Sequence, residues 1–193
     1  MQWEGWETNV IVEILLVCFL AKIKRYKLTY LFKSWTFYPV LAAQILLVVS
    51  EFSIFFHTYA FMPLVPFLEP AVILSFLFAL FVFRLYRPAV LGSASILAGT
   101  VLNRIVLAQN DGKMPVFPSL SYLTGYVTPQ MFSSVDSLHI LGGPDTKLPW
   151  LTDYVDFGYS ILSLGDVFIH FFFCVMLFSL IRAVNLSYGF HNK

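Results

Sequence analysis

The chain has 193 residues, of which 59% are hydrophobic and only 12% are charged, and its mean hydropathy is +0.78. Soluble domains carry about a quarter charged residues, so this composition excludes an ordinary water-soluble fold and indicates a protein embedded in a lipid bilayer. The net charge of +1 gives no electrostatic reason for a nucleic-acid partner.

The apolar runs predict an all-α integral membrane protein with five transmembrane helices, since a helix needs about 20 apolar residues to cross the hydrocarbon. We treat residues 1–193 as a single membrane domain. The fourth run is rich in glycine, alanine and serine, which suits close packing between helices. The spans are expected at about residues 9–21, 36–56, 70–83, 89–107 and 159–181.

The charges predict how the chain crosses the membrane. Nine of the twelve lysines and arginines lie between spans one and two, between spans three and four, or after span five. None of the eleven acidic residues lies in those segments. Because cytoplasmic loops are enriched in lysine and arginine, we expect a multi-pass protein of the cytoplasmic membrane with its N-terminus outside and its C-terminus in the cytoplasm. Its expected partners are the bilayer and a second membrane protein or another copy of the chain.

Residues 108–158 form an external segment that is too polar to cross the membrane and too long for a plain turn. We expect a compact cap on the outer membrane face. Asn110-Asp111-Gly112 predicts a turn. Thr128-Pro129 predicts the start of a short amphipathic helix, which Gly142-Gly143 would end.

Several short motifs follow one another from about Ala43 to the end of the chain. They are Gln44, Asn103, Asn110-Asp111-Gly112-Lys113-Met114-Pro115-Val116, Asp136-Ser137-Leu138-His139, Thr146-Lys147-Leu148 with Asp153, and Ser163-Leu164-Gly165-Asp166. With these motifs the chain resembles a bacterial family of small inner-membrane proteins catalogued as a domain of unknown function. The resemblance implies the membrane topology and a bacterial origin, and it implies no activity. Asp111 stands where the family pattern suggests a second glycine.

Ionisable residues within membrane spans are candidates for function. Counted from the outer end of each span, these residues lie at similar depths. We therefore predict one polar layer in the outer half of the membrane, in which Arg104 pairs with one or more of the carboxylates. This layer is either a structural ion-pair cluster or a ligand site. Its charged members are Glu13, Glu51, Arg104 and Asp166. The wider set of candidate ligand residues is Glu51, Asn103, Arg104, Asn110, His139, Asp166 and His170.

Three aspartates near the start of the fifth span suggest a hydrolase. Two carboxylates that face one water can catalyse acid–base hydrolysis, and here the pair would be Asp166 with Asp153 or Asp156. The run Tyr154-Val155-Asp156-Phe157 loosely resembles the lipoprotein signal peptidases. The alternative is that Asp153 and Asp156 cap the start of the last helix.

Asp136 and His139 are three residues apart on the predicted amphipathic helix and suggest a weak metal site, completed by Asp145 or Asp153. A hydrogen bond is the alternative role for these two residues. No cofactor is expected. We favour a non-catalytic protein that binds a partner helix, a lipid or a small ligand through its cap and polar layer. The rivals are a membrane-embedded aspartyl hydrolase and a subunit of a transporter or membrane complex.

Overall fold

The computed structural model of the chain describes residues 10–56, 61, 64–128, 132 and 138–189. These residues are mostly helical. The helices are α1 (Val10–Ile23), a 3-10 helix (Leu28–Lys33), α2 (Phe37–Phe55), α3 (Val65–Ser75), α4 (Leu77–Phe83), α5 (Tyr86–Gln109), α6 (Leu120–Thr124), a second 3-10 helix (Pro149–Leu151) and α7 (Leu164–Gly189). The strands are β1 (Met114–Val116), β2 (His139–Leu141), β3 (Val155–Asp156) and β4 (Ile161–Leu162).

Helices occupy all five predicted apolar runs, but the third and fifth runs differ from their predicted limits. The run 70–83 is not one helix, because α3 ends at Ser75 and α4 begins at Leu77. The last helix begins at Leu164 rather than near residue 159, because residues just before it form β4. Among the described residues, α5 and α7 are long and apolar enough to cross a membrane, and Phe37–Ser50 and Pro70–Phe83 are shorter apolar stretches.

The described residues divide into two compact units. The cap unit comprises Ala94–His170, which includes the second half of α5, the segment 110–163 and the start of α7. The helical unit comprises Asn9–Ser93 and Phe171–Lys193, which includes α1 to α4 and the rest of α5 and α7.

Aromatic packing holds the helical unit together at the junction between α3 and α4. Phe76 lies at this junction and is only 1% exposed. Its ring meets the rings of Phe172 and Phe173 edge to face, with centroids 6.0 and 5.8 Å apart. Such pairs stabilise a core beyond their buried area, so the break between the two helices is filled by a packed aromatic contact. Gly92 on α5 lies against the same aromatic cluster, because a Cβ atom at this position would lie 2.7 Å from the Phe172 ring.

The outward faces of the helical unit are apolar. Phe19, Phe81 and Val90 are 62%, 64% and 71% exposed, while Glu13 on α1 is buried. A protein in water arranges these residue types the other way round. The surface of this unit therefore suits a hydrocarbon environment, as the composition predicts.

The cap unit contains short strands, which the all-α prediction does not include. β1 pairs with β2 in parallel, with Met114 opposite His139 and Val116 opposite Leu141. β3 and β4 form an antiparallel pair just before α7. Each strand has only two or three residues, too short for a periodic signal in the sequence.

The cap packs directly on α5 through a small apolar core. Val106 on α5, Met114 on β1 and Leu151 in the second 3-10 helix are buried together. Leu102, Leu107 and Leu148 pack around them. The end of α5 and the segment after it therefore share one buried apolar core.

Candidate functional site

Strand β1 brings together residues that are far apart in the sequence. On one side it pairs with β2. On its other side, Asp153 donates its backbone N–H to the Pro115 carbonyl at 3.1 Å and accepts from the Phe117 N–H at 2.8 Å. His139 and Asp153 therefore flank the same strand, and their side chains can meet across it.

The side chains of His139 and Asp153 form the first half of the site. Nε2 of His139 lies 3.5 Å from Oδ2 of Asp153, and the aspartate is only 1% exposed. Burial lowers the pKa of His139, and the negative charge of Asp166 opposes this shift in part. This shift favours the neutral imidazole, because a buried cation is costly.

The second half of the site is a hydrogen-bonded triad at the start of α7. Nδ2 of Asn103 donates to Oδ1 of Asp166 at 2.8 Å. The backbone N–H and the Oγ of Ser163 both donate to Oδ2 of Asp166, at 2.8 and 2.5 Å. Oγ of Ser163 also lies 2.8 Å from Oδ1 of Asn103, so its one proton is shared between two acceptors.

Ser163 and Asp166 also form a capping box that starts α7. The backbone N–H of Asp166 donates to Oγ of Ser163 at 3.0 Å, and the Asp166 carboxylate accepts from the Ser163 N–H in return. This reciprocal pair satisfies two backbone N–H groups at a helix N-terminus. The spacing of serine and aspartate is visible in the sequence, and it would have placed the helix start correctly at Leu164.

Glycine allows α5 and α7 to come close enough for the triad to form. A Cβ atom on Gly165 would collide with the side chain of Asn103 and would lie 2.7 Å from the carbonyl of Gly99. A Cβ atom on Gly99 would in turn collide with the carbonyl of Gly165. One turn earlier, Oγ of Ser95 donates to the Phe168 carbonyl at 2.7 Å. The predicted close packing of the fourth span through small residues is therefore observed within the cap unit.

The carboxylate of Asp156 is held by hydrogen bonds from the protein and has a structural role. Its carboxylate accepts five hydrogen bonds: from the backbone N–H and Oγ of Ser119 at 2.6 and 3.3 Å, from the N–H and Oγ of Ser121 at 2.9 and 2.6 Å, and from the Gly158 N–H at 2.7 Å. Burial raises its pKa, but the hydrogen bonds from Ser121, Ser119 and Gly158 outweigh this effect, and the net pKa is lowered. Asp156 therefore caps α6 as a carboxylate, and not the last helix as the sequence alternative proposed.

The side chain of Asn110 also has a structural role, because it links two segments of the cap unit. Its Nδ2 donates to the carbonyls of Val106 and Lys147 at 2.9 and 3.0 Å, and its Oδ1 accepts from the Lys147 N–H at 3.0 Å. It thus joins the end of α5 to the segment before the second 3-10 helix. The predicted turn follows, with Asp111 at φ 56° and Gly112 at φ 77°. Asp111 therefore adopts the left-handed conformation that glycine takes without strain.

The structure gives other predicted residues different surroundings. Arg104 is exposed and forms no ion pair with the described residues of the cap unit, so Asn103, and not its neighbour Arg104, binds Asp166. His170 lies half-buried on α7, one turn beyond Asp166. The side chain of Glu51 lies outside the described part of the chain, so its place in the polar layer stays a prediction.

The proposed metal site has two described residues in contact, His139 and Asp153. Asp136 lies outside the described residues, as does most of the predicted amphipathic helix after Thr128. The prediction that His139 lies on this helix is wrong, because His139–Leu141 form strand β2. Asp145 is described and lies exposed in a turn. Within the described residues there is no group of three or more metal-binding side chains.

Fold and site together define a mostly helical protein with a small folded cap that carries a histidine paired with a buried aspartate, and an asparagine–serine–aspartate triad. The chain belongs to a family of unknown function, DUF5317, whose model matches residues 28–178, well over half of its length. The predicted membership of a family without an assigned activity is confirmed. No curated protein and no solved structure matches the chain.

Proposed function

We propose that the protein is a five-span protein of the cytoplasmic membrane, with the N-terminus outside, the C-terminus in the cytoplasm, and a non-catalytic external cap that binds a partner helix, a lipid or a small ligand. The spans are α1, α2, the pair α3 and α4, α5 and α7. The apolar outward faces of the helical unit support this arrangement, because lipid is the solvent that favours them.

The observation that carries the non-catalytic role is how the aspartates are used. Asp156 accepts five hydrogen bonds and Asp166 accepts three, all from the protein itself. A hydrolytic pair needs carboxylate oxygens that face a shared water. Here the oxygens hold helix ends and join α5 to α7, so we infer that these aspartates build the cap.

The surface of the cap supports a binding role. Leu123, Trp150 and Tyr154 are 84%, 66% and 66% exposed. Tryptophan and tyrosine favour the membrane–water interface and are enriched at protein interfaces. A cap that displays these side chains at the end of a membrane-length helix is suited to contact a neighbouring helix or the headgroup region.

The change Asp166→Asn tests whether the triad is structural or catalytic. In either orientation the amide would direct its N–H groups at a donor, Nδ2 of Asn103 or the N–H of Ser163, and a charge-assisted hydrogen bond would be lost, at a cost of about 1.5–3 kcal/mol. We expect a lower melting temperature in detergent and less protein in membranes. Asp145→Asn is the matched control, because that aspartate is exposed in a turn. An Asp166→Asn protein as stable as wild type would contradict the structural role and would favour the hydrolase.

Cysteine labelling in intact cells tests the topology. With Cys18 and Cys174 replaced by alanine, Gly143→Cys places a thiol on the cap and Lys24→Cys places one between the first two spans. A membrane-impermeant maleimide is expected to label position 143 in intact cells and position 24 only after lysis. Equal labelling of both positions in intact cells would contradict the proposed arrangement.

A further inference from the structure

We propose that the basic loop, defined as residues Lys22–Lys33 from the last turn of α1 to the end of the first 3-10 helix, binds the phosphate of an anionic phospholipid headgroup. The assignment of this loop to the cytoplasmic leaflet rests on the proposed topology. The loop lies entirely in the helical unit and contains five basic residues and no acidic residue. A cluster of this kind beside a membrane span attracts anionic lipids.

Two lysines converge on one buried ring in this loop. Tyr30 is 9% exposed, and the Nζ atoms of Lys27 and Lys33 lie 5.7 and 5.2 Å from the centre of its ring. Neither lysine forms an ion pair with a carboxylate of the described residues. The ring stabilises each ammonium group through a cation–π contact, but it does not neutralise the positive charge. A phosphate anion at this exposed surface would supply the negative charge that the described carboxylates do not.

The lysines are held in position by hydrogen bonds to the last turns of α7. Asn185 accepts from the Lys27 N–H at 2.8 Å and donates to the Lys27 carbonyl at 3.2 Å. At the other end of the 3-10 helix, the hydroxyl of Tyr188 donates to the Lys33 carbonyl at 3.4 Å. The rings of Tyr30 and Tyr188 also meet, with centroids 6.4 Å apart. The backbone on both sides of Tyr30 is thus fixed before a ligand arrives, which reduces the entropic cost of binding.

Exposed aromatic side chains next to the lysines favour a lipid over a free anion. Phe32 and Trp35 are each more than half exposed, and Tyr38 donates its hydroxyl to the Phe32 carbonyl at 2.9 Å. Aromatic residues with an apolar body and a polar edge lie at the headgroup level of membranes. A phospholipid would place its phosphate at the lysines and its acyl chains beside these rings, whereas a free phosphate gains nothing from the rings.

Lipid titration of the purified full-length chain in a zwitterionic detergent tests this site. Short-chain phosphatidylglycerol is titrated, the melting temperature is followed, and native mass spectrometry counts the bound lipid. Phosphatidylcholine of the same chain length and inorganic phosphate at the same ionic strength are the comparison ligands. We expect phosphatidylglycerol to raise the melting temperature and the other two to leave it unchanged.

Variants assign the effect to the two lysines. Lys27→Gln with Lys33→Gln is expected to weaken phosphatidylglycerol binding roughly 30-fold, because two charges near an anionic surface are lost. Replacement of both by arginine should preserve binding. The control is Lys113→Gln with Lys147→Gln, which removes two exposed lysines of the cap unit and should leave binding unchanged. Melting temperatures without lipid check that every variant is folded.

Three results would overturn the proposal. Equal stabilisation by phosphatidylcholine would show that the headgroup charge is not recognised. The same stabilisation by inorganic phosphate would assign the site to a free anion. Equal weakening by the cap-lysine control would show a general effect of net charge. None of these results depends on which way the chain crosses the membrane, so failure of this site and failure of the topology are distinguished by titration and labelling.

Discussion

The change Gly165→Ala tests whether the close approach of α5 and α7 organises the candidate site. The added methyl group would occupy the space of the Asn103 side chain and would lie 2.7 Å from the Gly99 carbonyl. Either Asn103 rotates and its hydrogen bond to Asp166 is lost, or the two helices move apart. Losing a hydrogen bond to a charged group costs about 1.5–3 kcal/mol, and overpacking costs about 1–3 kcal/mol.

Alanine is the better helix former by up to about 1 kcal/mol, which offsets part of this cost. The expected net destabilisation from Gly165→Ala is therefore about 1–3 kcal/mol. The assay is thermal or denaturant unfolding of the purified full-length chain in detergent. Gly143→Ala is the matched control, because a Cβ atom there meets nothing within 4 Å.

A double variant shows whether the methyl group of Gly165→Ala destabilises the protein by colliding with Asn103. Asn103→Ala removes the side chain that the new methyl group would strike. The loss of stability in the variant with both Gly165→Ala and Asn103→Ala should then be smaller than the sum of the two single losses. If Gly165→Ala is no more destabilising than Gly143→Ala, or if the two losses simply add, the proposed role of this contact is wrong.

Of three further predictions, two concern the pH dependence of stability and one concerns a buried amide. Asp156→Asn should remove hydrogen bonds at the start of α6 and lower the free energy of unfolding by about 2 kcal/mol. Because folding lowers the pKa of Asp156, the stability that this carboxylate contributes is present above pH 3.8 and is lost as the pH falls through its lower folded pKa. Unfolding curves of the variant should therefore lack that acid-dependent loss. Folding also lowers the pKa of His139, so stability should fall as the pH drops below 6.5, and unfolding of His139→Gln should depend less on pH in that range; an unchanged dependence would contradict the burial argument. Oε1 of Gln44 is buried and has no hydrogen-bond partner among the described residues, so Gln44→Leu should raise the melting temperature, whereas a decrease would reveal a partner for this amide.

The sequence by itself determined the features that are local or periodic. The apolar runs predict the positions of α1, α2 and α5 within a few residues and that of α7 more roughly, because long hydrophobic segments need only composition to be recognised. The turn at Asn110 and the close packing of the glycine-rich run were predicted for similar reasons, since each depends on residues within one turn or one helix face. The serine–aspartate spacing before α7 is also local and could have predicted the start of this helix, but the prediction of a start near residue 159 did not use it.

The tertiary structure decided which polar groups meet. Ser119 and Ser121 bind Asp156 across 37 and 35 residues, and Asn103 binds Asp166 across 63 residues. No local pattern distinguishes Asn103 from Arg104 as the partner of Asp166, because the choice depends on which face of α5 packs on α7. The His139–Asp153 pair likewise exists only because two short segments flank β1. Hydrophobic periodicity determines where a chain forms helices, whereas polar contacts between distant segments depend on how those segments pack, and that is decided only by the whole fold.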